Sequence, residues 1–84
     1  METPGEAQQV VLAVQHAAHM AREWQAAVEA LATTRVLWDY AECTDNQEYW
    51  TTVLGERALA AQLIGVRASA AMAQARHLLA LWDL

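Results

Sequence analysis

The sequence predicts an all-α protein, a long antiparallel helical hairpin that dimerises into a four-helix bundle. Three observations carry the prediction. Two helix-start signals divide the chain into nearly equal halves. Helix breakers are almost absent within each half. Apolar residues recur every seven positions in both.

The first start is Thr3-Pro4-Gly5-Glu6, a Thr cap followed by Pro at the first helical position and an acid in the first turn. The second is Asp45-Asn46-Gln47-Glu48, with Asp45 expected as cap and Glu48 reaching back to it. Pro4 is the only proline, and after Gly5 the only glycines are Gly55 and Gly65. A single domain over residues 1–84 follows, with helix 1 at about 4–43, a turn at 44–46 and helix 2 at about 46–83. Each helix would hold ~38 residues and run ~57 Å at 1.5 Å per residue. The alternative is a three-helix bundle with a break near Thr33-Thr34, because β-branched Thr is a weak helix former.

Helix 1 carries one apolar stripe. Val10, Ala17, Trp24, Leu31 and Trp38 repeat every seven residues, with Ala13/Val14, Met20/Ala21 and Ala27/Val28 filling the positions between, while Gln8, Gln15, Arg22 and Glu29 lie opposite. Helix 2 has a matching stripe of Leu54, Ala61, Ala68, Ala75 and Trp82, flanked by Trp50, Ile64, Ala71 and Leu78. It also has a second one on its far side: Leu59, Leu63, Val66 and Ala70, with Leu81 beyond. A two-helix hairpin covers one side of each helix, so those five residues form the expected oligomer interface. Burying them would contribute roughly 4–8 kcal/mol, comparable with the ~5–15 kcal/mol that holds a small domain together. A homo-oligomer, a dimer above all, is the simplest way to cover them.

Composition excludes several classes of function. The net charge is −5, with five arginines and no lysine, which is the wrong sign for a phosphate backbone. No uncharged stretch is apolar enough to cross a bilayer, so no membrane partner is expected. The acidic start from Met1 to Glu6 lacks the basic region of a secretory signal. A lone cysteine, Cys43, rules out a disulfide within the chain and fits a reducing compartment. A cytoplasmic location is therefore expected.

No catalytic constellation is visible, and the protein is read as non-enzymatic with no cofactor. Cys43 has acids rather than cations beside it, which disfavours a thiolate. His16, His19 and Glu23 share one flank of helix 1 at spacings of three and four. They are the candidates for the alternative reading, a metal- or haem-binding bundle. The segment around the turn combines acids with aromatics. Asp39, Tyr40, Glu42, Asp45, Glu48 and Tyr49 are the candidate partner-binding residues there, since aromatics with neighbouring charges supply much of the energy at protein interfaces. The functional expectation is a protein–protein interaction module, an adaptor subunit or small inhibitor that binds another protein.

Overall fold

The computed structural model describes residues 4–41 and 46–82. The chain is an antiparallel hairpin of two long helices, α1 (Pro4–Ala41) and α2 (Gln47–Trp82), packed along their lengths. Its extents are 66 × 15 × 13 Å and its radius of gyration is 18.7 Å. A compact chain of this length would have a radius of about 12 Å, so the molecule is a rod with a large surface.

The seam between the helices follows the rows of seven. Ala17, Thr34 and Ala41 of α1 and Ala61, Ala68, Ala71 and Ala75 of α2 are buried. Between them lie half-buried Val10, Met20, Leu31, Trp38, Leu54, Ile64, Leu78 and Trp82. Apart from Thr34, then, the fully covered positions are all alanines, and the larger side chains splay to the edges. Small side chains in the facing rows let two helices approach closely. At the open end of the hairpin, Ala17, Ala71 and Ala75 form a cluster with Ala13, Met20 and Met72 packed against it.

The two-helix hairpin expected from the sequence is what forms, and the alternative, a three-helix bundle with a break near Thr33-Thr34, is wrong: α1 runs unbroken through both residues. The reason is tertiary. Thr34 lies fully buried in the seam, where its hydroxyl donates to the Ala30 carbonyl at 2.7 Å and accepts from Arg57 Nη1 at 2.6 Å. Packing and hydrogen bonding here override the weak helix propensity of a β-branched residue.

A second tie of the same design lies nearer the turn. Trp38 Nε1 donates to Thr51 Oγ1 at 2.8 Å, and that hydroxyl donates to the Gln47 carbonyl at 2.8 Å. In both ties a threonine hydroxyl relays a side chain of one helix to the backbone of the other.

The helix starts fall where the sequence predicts them to within a residue. Pro4 is the first residue of α1, as its fixed φ favours. In α2 the Asn46 carbonyl accepts from the Trp50 amide at 3.2 Å, a bond of the first turn of that helix. Asp45 itself, with Glu42, Cys43 and Thr44, lies outside the described residues.

Candidate functional site

A hairpin has two broad flanks, each floored by both helices, and two outer edges, each belonging to one helix. The residues on these four surfaces differ sharply.

One flank is dry. Val14, Ala21, Val28 and Arg35 repeat along α1, and Ala58, Gly65, Met72 and Leu79 repeat along α2, each at a spacing of seven. They border two shallow hollows. The one nearer the turn is lined by Val28, Leu31, Ala32, Arg35, Leu54 and Ala58. The one nearer the open end is lined by Val14, Ala17, Met72, Ala75, Arg76 and Leu79. Between the hollows the indole of Trp24 lies against the backbone of Gly65. Trp24 remains 39% exposed, a large amphipathic ring at the middle of an apolar face.

The other flank is wet. Its grooves are lined by Gln9, His16, Glu23, Arg67 and Gln74, with Met20, Ile64 and Leu78 at their floor. The two flanks thus differ in how many polar side chains border them, although Leu12, Ala13 and Leu78 also line the groove at the open end of this one.

The outer edge of α2 carries the second apolar stripe. Leu59, Leu63, Val66 and Leu81 are all more than half exposed, and Ala70 is exposed beside them. Leu59, Leu63 and Val66 sit on the side of α2 turned away from α1, as their spacing relative to buried Ala61 and Ala68 requires. Leu81 shares a hollow with Glu6, Gln9 and Val10 of α1, and Ala70 shares one with His16, Met20 and Glu23, so these two border a flank instead. Their apolar surface is uncovered in the single chain.

At the turn end, Asp39, Tyr40, Glu48 and Tyr49 are exposed. Tyr40 is 74% exposed and stands clear of the seam. Tyr49 meets Trp50 edge to face, with centroids 5.1 Å apart and planes at 79°. Glu42 and Asp45, also expected in this surface, lie outside the described residues.

The three metal-ligand candidates do not converge on one point. His19 Nε2 approaches Glu23 Oε1 at 3.1 Å across one helical turn, and both side chains are exposed, so the pair is a surface contact of small energetic weight. His16 lines the wet grooves instead, beside Gln74. Among the described residues no group of three or more His, Cys, Asp or Glu is placed to hold an ion.

Reasoning from sequence missed two features. The Arg57–Thr34 tie was detectable in principle, because Arg57 falls seven residues after Trp50 and seven before Ile64, in a row that faces α1. On the dry flank, the sequence puts Val14, Ala21 and Val28 in the buried stripe of helix 1, whereas Val14 and Val28 stand exposed beside the seam; the matching α2 row, Ala58 to Leu79, is the part that was overlooked.

Neither helix is long and apolar enough to cross a membrane among the described residues. No family model, curated protein or solved structure matches the chain.

Proposed function

We propose that the chain is a non-enzymatic protein–protein interaction module, an adaptor subunit or small inhibitor of the cytoplasm that associates with itself and docks another protein. The observation that carries this reading is the inverted placement of its apolar side chains. Alanines fill the most deeply covered seam positions, while Leu59, Leu63 and Val66 face outward from α2. Exposed apolar stripes of this extent on a small chain mark surfaces that another chain covers. The outer stripe of α2 is assigned to the other protein, because it runs along one helix and suits a partner that presents a single groove or helix. The acidic aromatic end, with Asp39, Tyr40, Glu48 and Tyr49, offers that partner a second contact of arginine-binding character.

The test is co-purification of tagged protein from its native cells. Leu63→Glu is expected to lose the co-purifying protein, since it places an unpaired charge in the covered stripe. Leu63 is 52% exposed in the hairpin, so the substitution should leave helicity unchanged. The pair Asp39→Ala and Tyr40→Ala should weaken the same capture without unfolding the chain. Capture undiminished by all three substitutions would overturn the reading.

A further inference from the structure

The molecule exposes far more surface than its mass calls for. Its accessible area is 6367 Å², whereas a folded monomer of 9.3 kDa has about 5,000 Å². The surplus is about 1,400 Å², and a standard protein interface removes about 800 Å² from each partner. One face-to-face contact would therefore bring the chain near the exposure of an ordinary folded protein. A flank presents two helices at once and so offers the broader seat for such a contact, while an outer edge presents one.

Charge distinguishes the flanks. On the dry flank, neither the rows Val14 to Arg35 and Ala58 to Leu79 nor the rows bordering them outward, Val11 to Ala32 and Gln62 to Arg76, contain a carboxylate. Asp39 and Glu48 lie beyond, at the turn end. Two molecules that each carry a net charge of −5 meet at least cost through faces free of acids. The charged side chains lining this one, Arg35 and Arg76, stand at its hollows, and no carboxylate lines either hollow. The wet flank, with Glu23 among its groove residues, lacks that property. A partner chosen for opposite charge would go to the acidic ends. The face without acids suits a second copy of the same acidic chain.

We infer that the dry flank is the self-association surface. A second copy seats on it flank to flank, with Trp24 on Gly65 near the centre of the contact, to give a four-helix bundle. The wet flanks and the outer stripes of α2 then face outward. This deepens the interaction-module reading and rests on it, but it assigns the second copy to a different surface from the one proposed for the other protein.

Light scattering on the purified full chain during size exclusion tests the inference, with circular dichroism on each fraction. The wild type should have twice the 9.3 kDa chain mass. Val28→Glu and Met72→Glu, one on each helix of the dry flank, should halve that mass. Gln74→Glu on the wet flank and Leu63→Glu on the outer edge should keep it. A monomeric wild type overturns the inference, and so does a dimer that survives both dry-flank substitutions. A loss of mass or helicity in Gln74→Glu equal to that in Val28→Glu overturns the assignment of the face. Capture of another protein by a monomeric wild type would leave the broader reading standing while this inference fell.

Discussion

Trp24 and Gly65 meet so closely that a Cβ at position 65 would stand 2.9 Å from the indole Nε1 and 3.2 Å from Cε2. The ring occupies the space that any side chain at 65 would need. At Gly55, by contrast, nothing lies within 4 Å of such a Cβ. Two glycines in one helix therefore stand under different constraints.

Gly55→Ala should stabilise the hairpin by about 0.5–1 kcal/mol, the difference in helix propensity between the two residues. Gly65→Ala gains the same propensity but must displace a rigid ring, at an overpacking cost of about 1–3 kcal/mol. The expected net effect is destabilisation by up to about 2 kcal/mol. Thermal melts should show opposite shifts, with each 1 kcal/mol worth about 4–8 °C in a chain this size. A rise in Tm for both would show that Trp24 yields freely.

The Arg57–Thr34 contact joins the helices at 2.6 Å around a fully buried hydroxyl. Thr34→Val keeps the shape of the side chain and removes the acceptor. The expected loss is about 1 kcal/mol, the usual net value of a hydrogen bond, because exposed Arg57 returns to water. Arg57→Met removes the donor and keeps the stem. A double-mutant cycle by urea unfolding should give a coupling of at least 0.5 kcal/mol, as found for residues in direct contact. Strict additivity would mean that the contact contributes nothing.

Ala68 is completely covered in the seam. Ala68→Leu adds apolar surface yet should lower stability by about 1–3 kcal/mol, since the closely set backbones leave no room for three more carbons. Leucine at exposed Ala73, a similar change outside the seam, should be near neutral. Equal melting temperatures for the two variants would mean that the helices separate without penalty.

The hairpin was legible in the sequence because long helices declare themselves through period and breakers. Pro4 marked the start of α1, and the rows containing Ala17, Ala61, Ala68 and Ala75 were read as facing rows before any coordinates. The alternative of a break at Thr33-Thr34 arose from judging threonine by intrinsic propensity. That scale does not see a hydroxyl held between Ala30 and Arg57. The start of α2 at Gln47 falls where the Asp45-Asn46-Gln47-Glu48 signal predicts it to within a residue, and the cap expected at Asp45 lies outside the described residues. Of the candidate site, the outward placement of Leu59, Leu63 and Val66 followed from angle alone. The difference between the flanks did not, because it depends on two helices being brought side by side, and no single-helix projection displays a surface made by both.

The two threonine relays also determine how the strands of the hairpin find their alignment. The alanines at the centre of the seam are alike and discriminate poorly between one pairing and another displaced by a helical turn or two. The directional bonds discriminate better: Trp38 reaches Thr51 across 13 residues, and Arg57 reaches Thr34 across 23. The cluster of Ala17, Ala71 and Ala75 joins residues more than twice as far apart along the chain. Closing short loops costs less entropy than closing long ones, so the contacts that discriminate are also the ones whose closure costs least. The register of the rod's far end is thus set by bonds placed nearer its turn.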